Sequence, residues 1–278
     1  MTQTFYAAYI NLDRAPARRA FMEAQLAAAG LRATRIPAID RASPHFRSRG
    51  GLTVSRDDVL IEMNWDGRAY VTGEEACFQS HLAALAAFLA SGAPFGLIFE
   101  DDAELAPDFR AVVEAAIATA DLWDAVKLEG LRSKGGRPAL VISALTGHYR
   151  LVASLSPCAG AAAYLFSRAA AARIIAAAEG IFEPYDNLLS ALWRHKLRML
   201  DCAPFPARQG IAVSTRADKR SKPKRSVAQA LTRWWRHMGA DLIGLHRQRW
   251  TGQIGRFAGR LGRIGIVKWA RDWPAPPV

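Results

Sequence analysis

The sequence has few cysteines and no cysteine motif. Cys77, Cys158 and Cys202 are widely spaced, and none of them belongs to a Cys-x-x-Cys pair. This pattern argues against a disulfide framework and against a structural zinc site built from cysteine pairs. It favours a reducing compartment, so we expect a cytoplasmic protein.

The sequence also lacks a clear membrane-spanning or secretory segment. Residues 76–99 contain no Asp, Glu, Lys or Arg, which on length alone would suit a membrane span. The stretch is interrupted by Gly92 and Pro94 and carries polar residues around His81, so we interpret it as a soluble helix followed by a strand. The amino terminus has no basic region, and the apolar run 5–10 is too short for a signal peptide.

Neither the Gly-x-Gly-x-x-Gly fingerprint nor a P-loop is present, so a dinucleotide enzyme or a P-loop ATPase is not supported.

Residues 5–12 and 33–39 are predicted strands, and a helix that begins near Pro16 joins them. Such a strand–helix–strand unit is typical of a parallel sheet in an α/β fold. Loops that follow the strands of such a sheet face the ligand. The candidates for nucleotide binding in these loops are Asn11, Asp13, Arg14, Arg18 and Asp40, with a solvent-exposed helix face as the alternative role for each arginine.

Three adjacent carboxylates end the next predicted strand. Glu100, Asp101 and Asp102 follow the apolar run 95–99. Because adjacent acids repel one another, a fold that places them at a strand end usually compensates with a cation. Mg²⁺ and Mn²⁺ prefer carboxylate oxygens and also bind phosphate. The pattern therefore predicts a metal–diphosphate site, and the alternative is a solvated acidic turn that caps the following helix.

Further candidates lie later in the chain. Lys127, in the predicted strand 123–128, could neutralise a phosphate or simply be solvated. Asp186 lies in a turn set by Pro184, where a carboxylate can act as a general base or as a helix cap. Cys77 and His81 are four residues apart and share a helix face, so they could form a metal pair. Without further ligands, a buried thiol and a hydrogen-bonded histidine are favoured.

The net charge of +12 is carried by one end of the chain. Residues 1–215 contain 22 Lys+Arg and 22 Asp+Glu, whereas residues 216–278 contain 15 basic and 3 acidic residues. We predict two regions, 1–215 as the catalytic domain and 216–278 as a basic helical extension. The extension carries five of the eight tryptophans, which favours amphipathic helices on an anionic membrane surface. Nucleic-acid binding and packing on the catalytic domain are the alternatives, and no nucleic-acid partner is expected.

Several stretches occur together in an order that resembles glycosyltransferase family 25, which includes bacterial lipooligosaccharide galactosyl- and glucosyltransferases. The resemblance covers residues 4–215. The matching stretches are YINLDRAPAR, TGEEACFQSH, LIFEDDAEL, SPCAGAAAYLFSRAAAARII and EPYDNLL.

The resemblance implies an α/β fold of the GT-A type with a mostly parallel central sheet, a UDP-sugar donor, an inverting mechanism and Mn²⁺ or Mg²⁺. It implies that Asp102 binds the ion, with Glu100 as a second ligand, and that Glu100 or Asp101 lies nearer the ribose.

For the base that deprotonates the acceptor, Asp186 is the first choice. Glu74 and Glu75 are the alternatives. The implied acceptor is a lipid-linked oligosaccharide at the inner face of the cytoplasmic membrane. A catalytically silent module that binds sugar nucleotide or membrane is the competing hypothesis.

Overall fold

The computed structural model of the chain describes residues 3–47, 72–130, 136–154, 159–178, 184–190, 192–210 and 264–268. The sequence also predicts a polar, irregular segment over residues 41–70, which lies mostly outside these residues, as does nearly all of the basic extension. The predictions for those two regions therefore stay predictions.

The described residues form both strands and helices. The strands are β1 Tyr6–Asn11, β2 Thr34–Pro37, β3 Phe95–Glu100, β4 Ala103–Leu105, β5 Ala125–Lys127, β6 Gly136–Ala144, β7 Arg150–Ser154, β8 Ala163–Ser167, β9 Met199–Ala203, β10 Ala207–Gln209 and β11 Ile264–Lys268. The α-helices are α1 Pro16–Ala28, α2 Thr72–Ala90, α3 Phe109–Ile117, α4 Arg168–Ala177 and α5 Tyr185–Ser190.

Nine of the described strands form one central sheet in the order β11-β6-β7-β9-β5-β8-β3-β1-β2. The predicted strand–helix–strand unit at the start of the chain is confirmed, because β1 pairs in parallel with both β2 and β3. Six of the nine strands share one direction, but β8, β7 and β11 run the opposite way between or beside them. The large sheet of this α/β protein therefore contains antiparallel pairs as well as the expected parallel ones.

The central strands are buried on both faces, so apolar residues are nearly continuous along them. Successive side chains point to opposite faces. Ala7 and Tyr9 of β1 join one apolar cluster with residues of α1 and α3. Ala8 and Ile10 join a second cluster with residues of α2 and α4. The result is a sheet between two helical layers.

The packing of α2 on the sheet depends on a glycine. A Cβ atom built on Gly96 of β3 would lie 2.5 Å from ring atoms of Phe88, which is fully buried in α2. Glycine therefore allows α2 to lie close against β3. This contact holds the last turn of α2 against the start of β3.

A small second sheet covers the acidic end of β3. Strand β4 pairs antiparallel with β10, and the N–H of Gly210 donates to the carbonyl oxygen of Asp102 at 2.7 Å. Residues more than a hundred positions away in sequence are thereby brought next to the carboxylates.

One short part of the basic extension is a strand rather than a helix. Ile264–Lys268 pairs antiparallel with β6 at the edge of the central sheet. The expectation of a wholly helical extension is wrong for these residues, because two isoleucines and a valine favour extended backbone. Among the described residues, no helix combines the length and the apolar character needed to cross a bilayer.

Candidate functional site

The three carboxylates Glu100, Asp101 and Asp102, which we call the acid cluster, lie at the carboxyl end of β3. Asp101 and Asp102 occupy the turn between β3 and β4, and their exposed fractions are only 6% and 7%. This burial excludes the alternative of a solvated acidic turn. Since buried carboxylates are costly unless they are paired, their partners show what the site can hold.

Arg18 contacts both aspartates, and Asn11 contacts Asp101. Arg18 Nη2 lies 2.5 Å from Asp101 Oδ1 and 2.7 Å from Asp102 Oδ2. Asn11 Nδ2 donates to Asp101 Oδ2 at 2.7 Å. Both partners follow from the first unit of the fold, because β1 lies next to β3 and α1 follows β1.

Asp102 retains an unsatisfied oxygen. Gln209 Nε2 donates to its Oδ2 at 3.2 Å, but its Oδ1 is buried and has no hydrogen-bond partner among the described residues. Burial, together with the neighbouring charge of Glu100, raises the pKa of Asp102 to about 6, against the opposing effect of Arg18. The carboxylate form would therefore be stabilised by an additional cation.

The chemistry of the Asp102 and Glu100 oxygens is compatible with a hard divalent ion. The unsatisfied Asp102 Oδ1 and the partly exposed carboxylate of Glu100 are oxygen ligands of the kind that Mn²⁺ and Mg²⁺ prefer. Arg18 already supplies one positive charge to the acid cluster, so an ion would add to that compensation rather than provide all of it.

A second set of buried charged residues lies around the end of β5, and the sequence analysis identified only one of them, Lys127. Lys127 is 1% exposed, so the solvated alternative for it is wrong. Asp201 of β9 is its register partner. Glu129, two residues beyond Lys127, is equally buried and was missed.

Glu129 is tightly enclosed. The N–H of Ala162 donates to its Oε2 at 3.1 Å. A Cβ atom on Gly160 would lie 2.5 Å from the same oxygen, and the φ of Gly160 is +108°, so glycine is required there. Burial is the main cause that raises the pKa of Glu129 to about 7, and the charges of Glu100 and Asp102 add to it.

The signal for Glu129 in the sequence was weak but present. A polar residue two positions after a strand-end lysine stands on the same side of an extended chain. The small residues around Gly160 also indicated that something approaches the backbone closely.

The other predicted nucleotide-binding residues pair with one another. Arg14 Nε lies 2.5 Å from Asp40 Oδ2, and Arg14 is the main cause that lowers the pKa of Asp40. Asp13 forms an ion pair with Arg35, which also donates to Asn11 Oδ1 at 3.0 Å.

Only Asn11 and Arg18 of the five predicted residues contact the acid cluster in the described structure. Asp13, Arg14 and Asp40 form ion pairs in the loops that follow β1 and β2.

The three candidates for the base differ in their burial and in their hydrogen bonds. Asp186 lies in the first turn of α5, and its carboxylate accepts from the N–H of Asn187 at 3.0 Å. Glu75 is buried in α2 and accepts from Gln79 Nε2 at 3.2 Å. Glu74 is partly exposed. These hydrogen bonds of Asp186 and Glu75 lie within their own helices and do not reach the acid cluster.

His81 connects α2 to the acid cluster. Its Nε2 lies 3.3 Å from Glu100 Oε1, and its Nδ1 lies 2.9 Å from the hydroxyl of Tyr164. Its ring is stacked on Tyr185, with 4.0 Å between centroids and parallel planes. The histidine is therefore fixed in both position and orientation.

Comparisons with known proteins agree with the sequence motifs. A family model described as glycosyltransferase family 25 (LPS biosynthesis protein) matches residues 5–189. The crystal structure of A197 from STIV shares 13% identity over 72% of this chain and 83% of that chain, with a TM-score of 0.36. The crystal structure of mannose-1-phosphate geranyltransferase from Thermus thermophilus shares 14% identity over 45% of this chain and 48% of that chain, with a TM-score of 0.24. These TM-scores are too low to bear on function, and no curated protein matches the chain.

Proposed function

Because the chain belongs to glycosyltransferase family 25, a family of LPS biosynthesis proteins, we propose that it transfers galactose or glucose from a UDP-sugar to a lipooligosaccharide or another saccharide acceptor. The observation that carries this proposal is the buried acid cluster at the carboxyl end of β3. Open α/β sheets bind ligands at the carboxyl ends of their strands. The GT-A type of the fold is part of the proposal.

The acid cluster suits the diphosphate of such a donor. Asp102 and Glu100 would hold Mn²⁺ or Mg²⁺, and the bound ion would supply positive charge to the departing diphosphate. Asp101 is held by Arg18 and Asn11, so these three residues would shape the wall next to the ribose. Arg18 lies within reach of both aspartates and favours their ionised forms, against the larger effect of burial, which raises the pKa of each.

The proposed transfer is a single displacement with inversion. The acceptor hydroxyl oxygen bonds to the anomeric carbon of the donor, and the bond from that carbon to the UDP oxygen breaks, so that UDP leaves with the electron pair. A carboxylate on the acceptor side takes the hydroxyl proton. Asp186 remains the first choice for this role, with Glu74 and Glu75 as alternatives, because its carboxylate is partly exposed on the helix that carries Tyr185.

The competing proposal is a module that binds a sugar nucleotide without turnover. A silent module has no need for a buried carboxylate oxygen without a hydrogen-bond partner among the described residues, such as Asp102 Oδ1, because it costs free energy in the unliganded protein. Retention of Asp102 in that state therefore favours the enzyme.

The test is a panel of UDP- and GDP-sugars incubated with the full chain and Mn²⁺, with release of the nucleoside diphosphate as the readout. We expect slow hydrolysis of UDP-galactose or UDP-glucose, and faster release when a lipooligosaccharide acceptor is added. Binding of a UDP-sugar with no release of UDP under either condition would favour the silent module. No binding of any donor would contradict both.

The basic region 216–278 is proposed to attach the protein to the inner face of the cytoplasmic membrane, where a lipid-linked acceptor would lie. Anionic lipid attracts each nearby basic side chain by about 1 kcal/mol. In the full chain, replacing five basic residues of 216–225 by glutamine should greatly reduce flotation with anionic vesicles and leave the little binding to neutral vesicles unchanged. The replaced residues are Lys219, Arg220, Lys222, Lys224 and Arg225. Equal flotation of both proteins would contradict membrane attachment through this segment.

A further inference from the structure

A sulfur, nitrogen and oxygen ligand set lies beside the acid cluster. Cys77 Sγ, a ring nitrogen of His81 and a carboxylate oxygen of Glu100 all lie within 4.8 Å of one another. Cys77 and His81 are four residues apart on α2, so they project from one face of the helix. Glu100 comes from the end of β3, against which this part of α2 packs. The sequence alone lacked a third ligand for the Cys77–His81 pair, and the fold supplies it.

We propose that Cys77, His81 and Glu100 bind a transition-metal ion of the zinc class, at a site that shares Glu100 with the acid cluster but does not include the Asp102 oxygens. Thiolate and imidazole ligands select borderline ions such as Zn²⁺ over Mg²⁺ or Mn²⁺. Three protein ligands leave one tetrahedral position open for water. Cys77 and Glu100 are both only partly buried, so water can reach that position.

The separation of the ligand atoms is close to what such an ion requires. Bond lengths of about 2.0–2.3 Å place tetrahedral ligand atoms roughly 3.3–3.8 Å apart. The observed upper limit of 4.8 Å therefore requires a contraction of about 1.5 Å at most. Rotation of the partly exposed carboxylate of Glu100 and of the Cys77 thiol would shorten these distances.

The orientation of His81 supports the proposal. Metal-bound histidines usually have their second ring nitrogen fixed by a hydrogen bond. Here Nδ1 is paired with the Tyr164 hydroxyl at 2.9 Å, and stacking on Tyr185 fixes the ring plane. The other nitrogen, Nε2, faces Glu100 Oε1 at 3.3 Å. When Nδ1 carries the proton, two lone pairs face each other across this gap, and a cation between them removes the repulsion.

The proposal does not depend on the transferase activity, so its test uses metal alone. The full chain is freed of metal by a chelator, reduced, and titrated with Co²⁺ as a spectroscopic probe. We expect a near-ultraviolet charge-transfer band from a cobalt–thiolate bond, which Zn²⁺ abolishes by displacement because it binds more tightly.

Variants assign the band to these residues. Cys77→Ser should abolish it, whereas Cys202→Ser, which alters a buried thiol elsewhere in the sheet, should keep it. Asp102→Asn should also keep it, which separates this site from the Asp102 oxygens. Tyr164→Phe, which removes the hydroxyl next to Nδ1, should weaken Co²⁺ binding about 10-fold while leaving the thiolate in place.

Two results would overturn the proposal. One is the absence of a charge-transfer band in the unsubstituted protein at saturating Co²⁺. The other is a band that survives in Cys77→Ser, which would assign it to another thiol. Circular dichroism of each variant identifies a loss of folding. Tyr164→Phe leaves all three ligands in place, so its Co²⁺ affinity tests the site independently of Cys77→Ser.

Discussion

Replacing Asp102 by asparagine is expected to lower the turnover of a UDP-sugar by about 100-fold or more at saturating Mn²⁺, because stabilisation of the departing diphosphate is worth several kcal/mol. Asn keeps the size of the side chain and can still accept from Gln209 and Arg18. It removes the negative charge that would hold the ion. The expected effect is therefore on the chemical step and on donor binding in the presence of metal.

The same substitution should not destabilise the fold much. Burial and the Glu100 charge already disfavour the ionised form of Asp102, as its raised pKa indicates. Arg18 retains its ion pair with Asp101. A matched control is Glu114→Gln, which removes a carboxylate from an exposed pair on α3 with Arg110. Turnover of Asp102→Asn equal to that of Glu114→Gln, with both folded, would contradict a role for Asp102 in donor chemistry.

The second large effect concerns stability. Glu129→Gln should make the protein more stable than the unsubstituted chain at pH 8, by on the order of 3 kcal/mol, and about equally stable at pH 4.5. The pKa of Glu129 is about 7 in the folded protein and 4.5 as its ordinary value. Between these values the folded state binds more protons than the unfolded state.

This difference in bound protons determines how the free energy of unfolding changes with pH. The unsubstituted protein loses stability as the pH rises from about 4.5 to 7, and the loss then levels off. Glutamine cannot ionise and still accepts from the Ala162 N–H, so this part of the pH dependence disappears. The measurement is the free energy of unfolding in urea at pH 4.5, 6 and 8 for both proteins, with Glu114→Gln as the control. The same pH dependence in Glu129→Gln and in the unsubstituted protein would contradict the assignment.

Several features of the fold were predictable because they depend on local patterns. Pro16 at the start of α1 and the apolar run before Glu100 each indicated an element without any knowledge of the tertiary structure. The order of these elements then predicted the parallel pairing of β1 with its neighbours, which the structure confirms. The placement of Glu100 at a strand end followed from the same reasoning.

The strand neighbours farther along the sheet could not be predicted in this way. Strand β8 pairs antiparallel between β3 and β5, although its residues 163–167 lie long after both in sequence. Strand β11 joins the opposite edge from a region that was predicted to be helical. Apolar periodicity identifies a strand but not its partner, and the Ile and Val content of residues 264–268 was outweighed by the basic composition around them.

The charged residues were likewise predictable only in part, because their partners are distant in sequence. The sequence predicts Arg18 as a candidate, with an exposed helix face as the alternative. Local sequence cannot distinguish the two roles, because the contact of Arg18 with Asp101 joins residues 83 positions apart. The sequence left a solvated strand end as one alternative for Lys127, and it did not single out Glu129. Their burial arises from the loop around Gly160 and from strand β9, so only the folded chain reveals it.

The central claim is that the acid cluster binds the diphosphate of a nucleotide through a divalent ion, and calorimetric titration with UDP tests it most directly. The full chain and Asp102→Asn are each titrated in Mn²⁺ and again in a chelator. We predict that Mn²⁺ increases the affinity of the full chain for UDP by at least about 10-fold, and that Asp102→Asn loses this increase. An affinity for UDP that is the same in all four titrations would contradict the claim.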